Sequence, residues 1–316
     1  MRYLAAAAAL LLLAGPASAV PPRAAAAAKP FAPTRFSVEV EGNGPDVILI
    51  PGLTASAGIW RGTVAAVPGY RYHLVQVAGF AGAPSRGNAR GEVVAPLAEE
   101  ISRYVAARGL VRPAIVGHSM GGTVAMMVAA RHPDRVGKVM VVDMLPQPAG
   151  LLGASASGLR GLAGLLRDLG GSEAGRSLVG SAIRMFGSDP GENGRSDPDV
   201  VARAAQELAV TDLTPELPRI AAPLTVVYAS PDPQRRAAVD RAFESAYAGR
   251  KGAKLVRLDG SGHMVMYDQP RRFAEALRAF LGASPPGTAA GAASTGGRAS
   301  GPASQAASGA TQAATR

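Results

Sequence analysis

Short apolar runs alternate with amphipathic patterns through the middle of this chain, and that alternation constrains its fold more than any other feature. Residues 36–41 alternate apolar and polar side chains, as a strand with one wet face does. Residues 46–50, 73–77, 114–116, 139–142, 224–228 and 254–258 are more continuously apolar, the pattern of central parallel strands covered on both faces. Helical candidates lie between these runs, at 58–66, 92–108, 120–131, 235–248 and 271–281. This order predicts an α/β chain with a doubly wound, mostly parallel sheet.

The alternation breaks once. Between Val142 and Leu224 no convincing strand occurs, while Leu159, Leu162, Leu166 and Leu169 fall on one helical face. Further on, Asp197-Pro198 makes an N-cap and first-turn pair ahead of Val200, Val201, Ala204 and Leu208. The segment reads as a helical cap inserted into the α/β core. At the N-terminus Arg2, the apolar run 4–13 and Ala17-Ser18-Ala19 form a signal-peptide pattern with cleavage expected after Ala19. The organisation expected is therefore a signal peptide at 1–19, a linker at 20–33, and core at 34–143 and 223–282. The cap occupies 144–222, and a low-complexity tail expected to be disordered occupies 283–316. Such a leader predicts a secreted or periplasmic protein, with no stable membrane insertion once it is removed.

Composition excludes several classes. The formal charge of +10 is spread along the chain without runs of Lys and Arg, so no nucleic-acid partner is expected. There is no cysteine, which removes a disulfide frame, a thiol nucleophile and a Cys-based zinc site. No His/Asp/Glu grouping has metal-ligand spacing, and neither a metal nor another cofactor is expected.

The chemistry concentrates at residues 114–130. The apolar run Ala114-Ile115-Val116 leads into Gly117-His118-Ser119-Met120-Gly121-Gly122 and then into an apolar helical stretch. Strand, Gly-x-Ser-x-Gly and helix in that order lift a serine Oγ above the strand ends on a tight, strained turn, with Gly117 and Gly121 supplying clearance. Ser119 is thus the expected nucleophile. The Met120 amide, at the start of the helix, points where negative charge would develop on a substrate carbonyl.

With this context the sequence resembles the α/β-hydrolase family over most of residues 36–281. The resemblance implies a histidine base after the last strand, which His263 in Asp259-Gly260-Ser261-Gly262-His263 matches. The other histidines are expected in structural roles: His118 packing or bonding locally beside Ser119, His132 ending a helix, His73 within a strand. The orienting acid is implied on a loop between nucleophile and base. Asp232, in Ala229-Ser230-Pro231-Asp232-Pro233, is the favoured candidate, and Asp143, ending the preceding strand, is the alternative. The second oxyanion donor is implied at the Leu53 amide in Pro51-Gly52-Leu53-Thr54. Pro51, where many relatives carry His-Gly, is a departure, as is Val77-Ala78-Gly79-Phe80-Ala81-Gly82, where relatives usually begin with an aspartate. Phe80 is a candidate for lining the substrate pocket, equally readable as a buried loop aromatic.

The reaction this implies is acyl transfer to water, on a small-molecule carboxylic ester, through an acyl-enzyme on Ser119 with His263 as base. Aminopeptidases, acyltransferases and perhydrolases use the same machinery, and the fold does not choose among them. A non-catalytic binding protein is the contrasting class; it usually lacks a triad member, whereas here Ser, Asp and His are all present, in that order. Apolar residues such as Leu159, Leu166, Met185 and Phe186 in the cap favour an apolar acyl or alcohol group.

Overall fold

The computed structural model describes residues 31–151 and 195–282. The signal peptide, most of the linker, the tail and the cap residues named above, from Leu159 to Phe186, lie outside the described residues. Among the described residues seven strands form one sheet: β1 (Phe36–Glu41), β2 (Asp46–Ile50), β3 (Arg71–Val77), β4 (Ala114–His118), β5 (Lys138–Val142), β6 (Leu224–Ser230) and β7 (Lys254–Asp259). Their order is β1-β3-β2-β4-β5-β6-β7. Only β1 runs antiparallel, at the edge against β3; every other pairing is parallel.

The α-helices among the described residues are α1 (Arg61–Ala66), α2 (Val94–Ala107), α3 (Met120–Arg131), α4 (Pro148–Leu151), α5 (Pro198–Val210), α6 (Arg236–Tyr247), α7 (Val265–Asp268) and α8 (Pro270–Leu281). The continuous apolar runs are explained by two cores, because successive strand side chains point to opposite faces. Ile48, Ile50, Ile115, Val139, Val141 and Val226 join α2, α3 and α6 on one side. Val47, Leu49, Val116, Met140, Val142 and Val227 join Trp60 and α8 on the other. Helix α3 is buried along its length, from Met120 to Ala130, which is why it is apolar on all sides. Helix α8 is amphipathic instead: Phe273, Ala274, Leu277 and Leu281 face the sheet, Pro270 opens it, and Gly282 closes it in the left-handed conformation at φ 83°.

The returning segment before α5 is tied to the core at several points. Asp197 caps α5 by accepting from the Asp199 and Val200 amides, as its Asp-Pro pattern predicted. The Asp197 amide donates to the Gly79 carbonyl at 2.7 Å, and the Asp197 carboxylate bonds Ser85. Ser196 Oγ accepts from the Ala81 amide at 2.9 Å. One helical turn from the end of α5, the Glu207 carboxylate accepts from the amides of Val93, Val94 and Ala95 at 2.7–2.8 Å. It therefore satisfies three donors that the start of α2 would leave unpaired.

Candidate active site

The parallel order of β4, β5, β6 and β7 brings their carboxyl ends side by side, and the expected site residues sit on the turns that follow. Ser119 leaves β4 at φ 53°, ψ −124°, a strained conformation that non-glycine residues rarely adopt. Its amide donates to the Val142 carbonyl at 2.9 Å, and its carbonyl accepts from the Gly122 amide at 2.7 Å, so the turn is anchored to β5 on one side and to α3 on the other. Steric clearance accounts for the two glycines. A Cβ on Gly117 would fall 2.0 Å from the Gly121 carbonyl oxygen, and one on Gly121 would fall 2.3 Å from that of Ile50.

The same compactness brings the loop after β2 against Ser119. A Cβ on Gly52 would lie 3.1 Å from Ser119 Cβ, so the Gly52-Leu53 main chain passes directly beside the serine. The Leu53 side chain packs on the core, half-buried. Met120 is the first residue of α3, where helical amides have no acceptor within the helix. Both amides named from the sequence thus belong to segments that flank Ser119.

His263 follows β7 on a loop pinned at three points. The Gly260 amide donates to the Ser230 carbonyl at 2.8 Å, the Gly262 amide to Asp268 Oδ2 at 2.8 Å, and Gln269 Nε2 to the Gly260 carbonyl at 3.1 Å. The partner of its imidazole corrects the expectation from sequence. His263 Nδ1 lies 2.7 Å from Asp143 Oδ2, not against Asp232. Asp143 sits just past β5 at φ 50°; its amide donates to the Val227 carbonyl and its second carboxylate oxygen accepts from the Ala229 amide at 2.9 Å. The side chain is therefore clamped between β6 and His263, with 8% of its surface exposed.

Asp232 is occupied elsewhere. Its Oδ1 accepts from the Gln234 amide at 2.8 Å and caps the short turn Pro233–Arg235. An aspartate before proline bonds its own downstream backbone readily, and here that local bond decides where the carboxylate points. The signal for Asp143 lay in the strand before it: Lys138–Val142 is buried nearly throughout and pairs with β4, so the residue that ends it emerges next to Ser119.

Phe80 is a second correction. Its side chain has no exposed surface and belongs to the core cluster with Val77, Val93 and Val200, so it packs the fold instead of lining a pocket. The remaining histidines are accounted for. His73 lies between the Tyr104 hydroxyl at 2.8 Å and Asp46 at 2.9 Å, and His132 meets Glu99 at 2.9 Å. His118 is more than a local packing residue, because its Nε2 lies 2.9 Å from the main-chain oxygen of His263. Burial, followed by the neighbouring His263, pushes its pKa down to about 3. Tyr247, fully buried, donates to the Met144 carbonyl at 2.6 Å and steadies the chain just past Asp143; burial raises its pKa. Among the described residues no group of three or more acidic or histidine side chains converges as a metal site, and no helix is long and apolar enough to cross a membrane.

A family model described as "Alpha/beta hydrolase family" matches residues 47–276. The chain belongs to the alpha/beta hydrolase family. Among curated proteins it is similar to a pimeloyl-[acyl-carrier protein] methyl ester esterase of Aeromonas hydrophila, 28% identical over 260 residues that cover 78% of this chain and 99% of that one. It is also similar to an uncharacterized protein of Mycobacterium tuberculosis, 26% identical over 281 residues and 80% of each chain. Among solved structures, an esterase from Exiguobacterium antarcticum shares the fold with a TM-score of 0.61 at 19% identity, covering 78% of this chain and 96% of that one. A thermophilic esterase from Thermogutta terrifontis does so with a TM-score of 0.59 at 22% identity, over 78% and 92%. The antiparallel edge strand, the six parallel strands and the serine turn after β4 are this chain's version of the alpha/beta hydrolase sheet.

Proposed function

We propose that this chain is an exported ester hydrolase in which Ser119 is the nucleophile, His263 the general base and Asp143 the acid that orients it. The observation that carries the reading is the 2.7 Å contact of His263 Nδ1 with Asp143, on strand ends adjoining the strained Ser119 turn. The esterase named among the relatives supports an ester as the bond cleaved. Export follows from the signal-peptide pattern at residues 1–19.

A carboxylate at Nδ1 accepts a hydrogen bond from that nitrogen and so keeps the proton there, which leaves Nε2 with a lone pair to take the Ser119 proton. Ser119 Oγ then bonds to the ester carbonyl carbon, and the carbonyl oxygen gains negative charge that the Leu53 and Met120 amides stabilise by donating hydrogen bonds to it. The C–O bond to the alcohol breaks, and His263 returns the proton to the departing oxygen. Water attacks the acyl-enzyme, His263 takes its proton, and the acid leaves as Oγ is reprotonated. Asp143 stays ionised throughout and stabilises the imidazolium. No metal or cofactor is needed for any step.

A panel of nitrophenyl acyl esters beside aminoacyl nitroanilides tests the reaction class, with Ser119→Ala as control. Hydrolysis of the esters that disappears in the variant is the expected result; ester turnover unchanged in the variant, or release from the anilides alone, refutes the reading. N-terminal sequencing of protein recovered outside the cytoplasm checks export, where a retained Met1 would refute cleavage after Ala19.

A further inference from the structure

His118 adjoins Ser119 in sequence, yet its hydrogen bond reaches to the far end of the chain. Its Nε2 lies 2.9 Å from the main-chain carbonyl oxygen of His263, and the two imidazole rings sit 4.7 Å apart at 48° to each other. A carbonyl oxygen only accepts, so Nε2 carries the proton and Nδ1 is bare. That Nδ1 is buried without a hydrogen-bond partner among the described residues, against Gly52, where a Cβ would come within 3.0 Å of it. A buried acceptor with no donor disfavours the fold, and an apolar ring of similar size would avoid that cost. The imidazole is therefore best accounted for by the bond its other nitrogen makes.

That bond adds an anchor on the main chain of the base. Asp143 holds the His263 ring from one end, and the three pins on the loop act before His263 or beyond it, at Gly260, Gly262 and Gln269. Two glycines precede His263, leaving the main chain soft where the base must be held to a fraction of an ångström. The bond from His118 pins the main chain of the base itself to the residue beside the nucleophile. Burial keeps His118 neutral, so the pin adds no positive charge beside an imidazolium forming on His263.

We propose that His118 is a positioning residue, whose Nε2–H bond to the His263 carbonyl holds the general base in register with Ser119 through proton transfer. This rests on the reading of Ser119 and His263 given above. His118→Phe keeps a ring and loses the bond, whereas His118→Gln places an amide donor near the Nε2 position and restores it. The expected result is a kcat lowered about 10- to 100-fold in His118→Phe with KM changed less than about threefold, and recovery to within about fivefold of wild type in His118→Gln.

A second measurement does not depend on turnover. The proton between His263 Nδ1 and Asp143 should give a downfield NMR signal, identified by its loss in His263→Ala. It should be sharp in the wild type and in His118→Gln and broadened in His118→Phe. Wild-type kcat with a sharp signal in His118→Phe overturns the proposal, as does an equal fall in both variants. Should Ser119→Ala hydrolyse esters as fast as the wild type, the serine reading fails; the proton signal alone then decides, and a signal equally sharp in His118→Phe overturns the role of His118.

Discussion

Replacing Asp143 by asparagine removes one charge and almost no volume, and the two bonds of the carboxylate determine the consequence. One oxygen accepts from the Ala229 amide at 2.9 Å and the other faces His263 Nδ1 at 2.7 Å. An asparagine must turn its single oxygen toward one of them. The Ala229 amide is a fixed donor on a buried strand, so the oxygen goes there and the NH2 faces His263. That leaves Nδ1 as acceptor and puts the imidazole proton on Nε2, where it blocks removal of the serine proton. The wrong tautomer and the lost stabilisation of the imidazolium together should lower kcat by about 10³- to 10⁴-fold, or about 4–5.5 kcal/mol. Asp232→Asn keeps an equally good cap for the turn after β6 and should stay within about twofold of wild type. Steady-state hydrolysis of a nitrophenyl ester, with circular dichroism to confirm folding, makes the comparison. Asp143→Asn retaining a tenth of wild-type kcat while Asp232→Asn collapses would refute the assignment.

Two further outcomes concern stability. Glu207→Ala leaves three amides at the start of α2 without their carboxylate and should destabilise the protein by about 2–3 kcal/mol while sparing turnover at room temperature; a loss below about 0.5 kcal/mol in urea unfolding would show that water replaces it. His118, held down to about 3 from an ordinary value of 6.5, binds a proton in the unfolded chain before it does in the folded one. Its contribution to stability is therefore complete above pH 6.5 and declines as pH falls from there toward 3, by up to about 1.4 kcal/mol per pH unit. Urea unfolding at pH 7 and pH 4.5 should show the wild type losing about 2 kcal/mol more than His118→Gln between the two, and equal losses would refute it.

The sheet was legible in the sequence because its central strands are covered on both faces, and continuous apolar runs between amphipathic patterns leave few other architectures. The Ser119 turn was legible for a related reason. Gly117 and Gly121 are demanded by contacts within a few residues and with the adjacent strand, so the constraint is written in one hexapeptide. His263 could be named from its order after the final strand.

The carboxylate that meets His263 could not be named that way. Asp232 and Asp143 both follow parallel strands, and only the assembled sheet shows that one caps its own turn while the other lies clamped between the Ala229 amide and His263. The bond from His118 to His263, and the burial of Phe80 in the core, likewise depend on segments far apart in the chain. Local patterns of size and polarity, carried by neighbouring residues, thus determined the layers of this protein and the position of its serine. Which distant polar groups meet was decided only by tertiary structure, because a hydrogen bond depends on distances of tenths of an ångström that packing alone sets.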